Sequence, residues 1–259
     1  MDRLRERLAT SRVCVGIDPH PGLLDAWGLP QSAAGVRTFG LTVVEELGDK
    51  VAALKPQSAF FERFGAAGIA ALEEILAAAR AAGAYTLLDV KRGDIGSTMA
   101  AYAAAYLKPG APLEADAITV SPYLGPDSLA ATADLAAAGG KRIFALALTS
   151  NPEGAAVQHA RTAAGTVAQA VVDFARPRSD AVGVVVGATI GSALTDLGID
   201  LGDVLVLAPG LGAQGATTAD LARVFGPAAP HVLGSVSRGV LAAGPGNLLA
   251  AARGFEAGR

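Results

Sequence analysis

The chain has 259 residues, 51% of them hydrophobic and 17% charged, so it can bury a substantial core and disorder is excluded. With 21 basic against 24 acidic residues, a net charge of -3 and no block of like charge, neither a nucleic acid nor a membrane is an expected partner, and any anionic ligand must be bound locally. The single cysteine, Cys14, excludes an internal disulfide, and Met1 to Arg12 lacks the apolar core of a signal peptide, so a cytoplasmic protein is expected.

Short runs rich in Val, Ile and Leu recur along the chain, each followed by a turn signal and then an alanine-rich stretch of helical period. In chain order the predicted strands are VCVGID (13–18), VAALK (51–55), YTLLDVK (85–91), AITVS (117–121), IFALALT (143–149), VGVVVGA (182–188), VLVLAP (204–209) and HVLGSVS (231–237). Between them lie patterns such as GIAALEEILAAARAAG (68–83), which predicts a helix with an apolar stripe of Ile69, Leu72, Ile75 and Leu76 and a stop at Gly83. The uncharged stretch AVGVVVGATIGSALT, between Asp180 and Asp196, is shorter than the roughly 20 residues of a membrane span and reads as a buried strand and its turn. FARPRSD (174–180) reads as at most a surface loop, and no shift in composition marks a domain boundary.

Nearly continuous apolar strands imply burial on both faces, as in a parallel sheet covered by helices. Eight βα units in this length predict an α/β fold, a (β/α)8 barrel formed as a single catalytic domain over 1–259, whereas an open doubly wound sheet usually needs fewer strands. Barrel chemistry sits where strands end, and Asp18, Lys55, Asp89, Lys91, Ser121 and Arg238 all fall at or just past strand ends. Each alone could be a helix cap or a solvated charge; their convergence on one rim points to a site.

The densest stretch is LLDVKRGDIGST (87–98). Two apart on a strand, Asp89 and Lys91 share a face, while Val90 points into the packing between barrel and helices. A structural ion pair is one reading; with Lys55 and Asp94, the alternative is an acid–base array that keeps Lys91 protonated as an electrostatic device and proton source. GLGAQG (210–215) fits the G-x-G-x-x-G dinucleotide pattern at Gly210, Gly212 and Gly215, but it is the penultimate βα turn and the next strand carries no acid for a ribose. In a barrel, that loop, a helix N-terminus and Arg238 could instead hold a phosphate, unless the glycines only serve a tight turn. His20, His159 and His231 show no ligand spacing and Cys14 has no obvious base, so no metal is expected; His20 in DPHPG could approach the site, but a surface loop residue is the stronger reading.

LLDVKRGDIGST resembles the D-x-K-x-x-D-I-x-x-T signature of the orotidine 5'-phosphate decarboxylase family at every fixed position, and GIDP, LKP, TVSPYLG, APGLGAQG and SRG resemble that family's pieces in order, over essentially the whole chain. The resemblance implies cofactor-free loss of CO2 from orotidine 5'-phosphate to give uridine 5'-phosphate, the last step of UMP synthesis. It implies a tetrad of Lys55, Asp89, Lys91 and Asp94, with Lys91 the proton donor and Asp94 completing the neighbouring site of a homodimer. It further implies that Asp18 and Lys55 bind ribose hydroxyls, that Thr98 reaches the partner's ribose, that Ser121 bonds the pyrimidine amide, and that Gln214 and Arg238, with the loop at Gly212, take the phosphate. The long loop SNPEGAAVQHARTA (150–163), where Asn151 has no assigned role, suggests a divergent bacterial-type branch. Two alternatives stand beside this: a metal-dependent sugar-phosphate aldolase or decarboxylase, which would carry an acidic ligand near strand two where this chain has Lys55, and a catalytically silent phosphate-binding barrel, which would be expected to lose members of so costly a charged array.

Overall fold

A computed structural model describes residues 2–212 and 216–257. Its eight parallel strands are Val13–Ile17 (β1), Ala53–Pro56 (β2), Leu87–Arg92 (β3), Ala117–Val120 (β4), Arg142–Leu148 (β5), Val182–Val186 (β6), Val206–Pro209 (β7) and Val232–Val236 (β8). Neighbours run β2-β1-β8-β7-β6-β5-β4-β3, and bridges from Leu54 to Thr86 and from Gln57 to Asp89 bring β2 beside β3, so the barrel is all but closed. Every predicted strand is present. β2, β3 and β7 start two residues later than their apolar runs, because residues such as Val204 and Leu205 are buried without joining the ladder. An apolar run reports burial, and pairing only indirectly. Among the described residues no helix is long and apolar enough to cross a membrane.

Alternation along the strands builds two cores. Val13, Val15, Ile17, Leu88, Val90 and Ile118 face outward into the layer beneath the helices. Cys14, Ala53, Leu87, Ala117, Phe144 and Leu233 belong to a separate cluster inside the barrel. Gly183 on β6 makes room for Phe144 there, since a Cβ at that position would lie 2.5 Å from its ring. The helix Arg3–Leu8, too short for periodicity to reveal, closes the N-terminal end of the barrel with Leu4 and Leu8. It is tied down by Arg7, which donates to the carbonyls of Asp49, Val51 and Ala52, and by Asp2, whose carboxylate accepts from the buried Arg142 at 2.6 Å.

The helix predicted over 68–83 spans Gly65–Ala81 and stops at Gly83, whose φ of +72° costs a residue without Cβ little. Its buried face is Gly68, Ala71, Leu72, Ile75, Leu76 and Ala79, leaving Ile69 only half-buried. That rotation is set by the neighbouring helix Ala33–Leu47: a Cβ on its Gly40 would come within 2.3 Å of Ile75 Cδ1, so the two helices meet there. Two residues beyond the apolar interior, the inward positions turn polar: Lys55 after Ala53, Asp89 after Leu87, Thr119 after Ala117, Ser235 after Leu233. The same period-2 rule that fills the barrel below furnishes it with chemistry above.

Candidate active site

At the C-terminal ends of the strands lies a cavity of about 340 Å³ lined by Asp18, Lys55, Gln57, Asp89, Lys91 and Arg238, among others. A larger hollow of about 560 Å³, beside Arg12 and Val13 at the start of β1, holds no comparable charged array. At the centre of the first is Asp89, 7% exposed, whose carboxylate takes four hydrogen bonds. Oδ2 accepts from Lys55 Nζ at 3.1 Å and Gln57 Nε2 at 2.9 Å; Oδ1 accepts from Lys91 Nζ at 2.6 Å and Thr119 Oγ1 at 2.7 Å. Burial opposes ionisation of Asp89, but the Lys55 and Lys91 ammoniums and the hydrogen bonds outweigh it and hold the carboxyl far below the usual carboxylate range. Burial likewise opposes the charge on Lys55, yet the carboxylates of Asp89 and Asp18 hold its ammonium well above the ordinary lysine value. Both partners therefore stay ionised at neutral pH.

Lys91 does not reach this position by a plain two-residue repeat. The β3–β4 register pairs Leu88 with Ile118 and then Arg92 with Val120, so Asp89, Val90 and Lys91 together stand opposite Thr119. This bulge keeps Val90 buried in the outer layer and swings Lys91 over the mouth, where its side chain is 47% exposed.

Of the other expected residues, Asp18 and Arg238 line the cavity, Arg238 exposed at the first turn after β8. Asp18 Oδ1 and the nearby Ser237 Oγ are buried and find no hydrogen-bond partner, so this wall offers two unpaired polar atoms to whatever fills the cavity. Ser121 does not line the cavity: its N–H donates to the Arg92 carbonyl and its carbonyl packs against Gly93, while Ser150 and Asn151, just past β5, take lining positions. Gly212 is not on the wall either. Its N–H is taken by the Ala216 carbonyl, and at φ +73° a Cβ there would press on Phe255, so this glycine serves the turn; Gly210 and Leu211 are the cavity residues. Gln214 lies outside the described residues.

The helix after β7 starts at Thr218 and is closed at its start by a Thr217–Asp220 capping box, and neither residue lines the cavity. Asp94 and Thr98 stay outside the cavity of their own chain: Asp94 accepts from the Ile95 N–H and Thr98 is exposed on the helix Gly96–Leu107. Of the two readings of His20, the approach to the site is the one seen: it lines the cavity from the loop after β1, edge-on to Phe60 at 4.3 Å. Cys14 is fully buried and its thiol is pushed up to about 12 by burial, which leaves it inert. Among the described residues no group of three or more His, Cys, Asp or Glu is placed to hold a metal ion. Gln57, Thr119, Ser150 and Ser237 escaped the sequence reading. Gln57 and Thr119 stand two residues after Lys55 and Ala117, a spacing that marks them as inward-facing once the strands are known.

The family model described as orotidine 5'-phosphate decarboxylase / HUMPS family matches residues 11–255. A curated orotidine 5'-phosphate decarboxylase from Salinispora arenicola is 61% identical over an alignment of 241 positions that covers 90% of this chain and 86% of that one. A solved structure from Streptomyces avermitilis, assigned as an orotidine 5'-phosphate decarboxylase, superposes with a TM-score of 0.94 at 50% identity over 98% of this chain and 92% of the other. The Leishmania donovani OMP decarboxylase structure is similar at a TM-score of 0.80 and 35% identity, over 99% and 95% of the two chains.

Proposed function

The chain belongs to the orotidine 5'-phosphate decarboxylase / HUMPS family and converts orotidine 5'-phosphate to uridine 5'-phosphate and CO2 in pyrimidine synthesis, and we propose that Lys91, held by Asp89, is the group that protonates the product. The observation that carries this is the meeting of four donors on one buried carboxylate, with the Lys91 ammonium among them at 2.6 Å and open to the cavity.

Loss of CO2 leaves an electron pair on C6 of the pyrimidine. The Lys91 ammonium stabilises that charge as it develops and then gives its proton to C6, leaving a neutral amine that solvent recharges. Asp89, ionised and unable to turn away from its donors, repels the substrate carboxylate before it leaves; Lys55 keeps Asp89 charged. Enzymes lower barriers by up to about 23 kcal/mol, far beyond any single hydrogen bond, so these effects act together with remote binding energy. Arg238 supplies that energy at the phosphate, Asp18 with its unpartnered Oδ1 and Lys55 take the ribose hydroxyls, and Ser150 replaces Ser121 as the serine for the pyrimidine edge. The described residues form one catalytic barrel, and a substrate made and used in nucleotide synthesis places its work in the cytosol.

The active form is a homodimer in which Asp94 and Thr98 serve the partner's site. Two features support it: neither residue lines its own cavity, and Ile95, Tyr123 and Leu124, beside them on the β3 and β4 loops, are 61%, 78% and 53% exposed. A buried Lys55 ammonium at the end of β2 does not suit the metal-dependent sugar-phosphate reading, which wants an acid there. The test is to follow the ultraviolet absorbance of orotidine 5'-phosphate with purified protein and a chelator. Rapid loss is expected; a folded protein that binds uridine 5'-phosphate but leaves the substrate unchanged sinks the reading.

A further inference from the structure

Lys91 has a φ of +45°, and among the described residues it is the one non-glycine residue with a positive φ. An L side chain in this region carries strain, and strained backbone persists only where its surroundings over-determine it. Here the surroundings are the single residue opposite the bulge. Thr119, 1% exposed, accepts a hydrogen bond from the Lys91 backbone N–H at 3.0 Å and donates its own hydroxyl proton to Asp89 Oδ1 at 2.7 Å. Asp89 Oδ1 in turn accepts from Lys91 Nζ. Thr119 therefore closes a ring that grips Lys91 at both its backbone and its ammonium. A hydroxyl has one proton and two lone pairs, so Thr119 accepts from the Lys91 N–H and gives its proton to Asp89 at once, one of the four bonds that hold the carboxylate's rotation.

We propose, resting on the role given to Lys91 above, that Thr119 is a positioning residue for the decarboxylation: its hydroxyl pins the strained Lys91 backbone and the Asp89 carboxylate in the one arrangement that aims the ammonium at C6. Valine at this position has nearly the same shape and would satisfy neither neighbour. The widened β3–β4 gap would stay filled, but Lys91 would relax out of the left-handed conformation and its ammonium would lose its aim. The predicted loss is therefore in the chemical step and not in substrate affinity, since Thr119 itself does not line the cavity.

The experiment compares Thr119→Val, Thr119→Ser and Thr119→Ala with the wild-type chain, measuring kcat and KM for orotidine 5'-phosphate and the Kd of uridine 5'-phosphate. For Thr119→Val we expect kcat to fall roughly 10- to 100-fold, the range for a buried hydrogen bond to a charged group, with KM and Kd within about 3-fold. Thr119→Ser, which keeps the oxygen, should recover kcat to within about 3-fold of wild type. The proposal is overturned if Thr119→Val keeps its kcat, if its loss is carried by KM alone, or if Thr119→Ser falls as far as Thr119→Val. Should Thr119→Val not fold, the Thr119→Ser and Thr119→Ala pair, which differ by the oxygen alone, carries the test: equal kcat values overturn the proposal, and a large gap in favour of serine supports it. A wild-type chain without turnover would overturn the decarboxylase reading itself, and this proposal with it.

Discussion

Replacing Asp89 by asparagine removes one charge and almost no volume from the centre of the site, so its cost can be worked from the geometry. Lys55, 6% exposed, loses its closest counter-charge and cannot reach bulk water. Removing one partner of a buried pair costs about 3–5 kcal/mol. Asp18, which also holds the Lys55 ammonium in its charged form, returns part of this, and Lys91, with its side chain 47% exposed, rehydrates at little cost. We expect a loss of about 2–4 kcal/mol, which at about 2–4 °C per kcal/mol for a chain of this size lowers Tm by roughly 4–16 °C.

The pH dependence follows from the same pair. The folded-state pKa of Asp89 is depressed, so its contribution is present above the unfolded value of about 3.9 and is lost as pH falls below it. That of Lys55 is raised, so its contribution is complete below about 10.4 and is lost only as pH rises through the folded value. The gap between wild type and Asp89→Asn should thus be flat from about pH 5 to 9 and narrow below about pH 4, where Asp89 of the unfolded wild-type chain takes up a proton that the folded chain still refuses. Thermal melts at fixed protein concentration across this range make the test, since concentration alone shifts the Tm of an oligomer. A Tm within about 1 °C of wild type, or a gap that widens on acidification, would refute the assignment of Asp89 as the counter-charge to Lys55.

Three further outcomes are expected. If the proposed homodimer holds, Lys91→Ala and Asp94→Ala chains should each be nearly inactive alone, with Lys91→Ala still binding uridine 5'-phosphate; mixed and re-equilibrated, they should regain about a quarter of wild-type activity, because half the dimers then carry one intact site of two. No recovery on mixing would return Asp94 to its own chain. Arg238→Ala should weaken uridine 5'-phosphate binding about 10- to 100-fold while leaving uridine affinity unchanged, as loss of a charge-assisted phosphate contact requires; equal affinities for the nucleotide would move the phosphate site elsewhere. Cys14, whose thiol burial pushes up to about 12, should resist an alkylating reagent at pH 8 in the native protein and react on denaturation, a contrast read by mass spectrometry; labelling at equal rates would show that β1 opens in the native state.

Much of this molecule is legible in the residue pattern because two of its determinants are local. Apolar runs report burial, and burial on both faces of eight strands leaves few architectures but a barrel. Period-2 alternation then carries Lys55 and Asp89 to the inside two residues after an apolar one, so residue spacing is enough to locate the charged centre. What escapes is whatever depends on contacts between segments distant in sequence. Ser121 and Ser150 both follow a buried strand, and only the placement of β4 and β5 around the ring decides that Ser150 reaches the cavity. Gly212 and Gly210 share one motif, yet Phe255, from the far end of the chain, makes the first a packing glycine. The barrel and the identity of its charges are written in the residues, because both rest on hydrophobicity and period. Tertiary structure alone decided the bulge that turns Lys91 over the mouth and the hydroxyl of Thr119 that holds it there, because a β3 register can be broken only against the strand beside it.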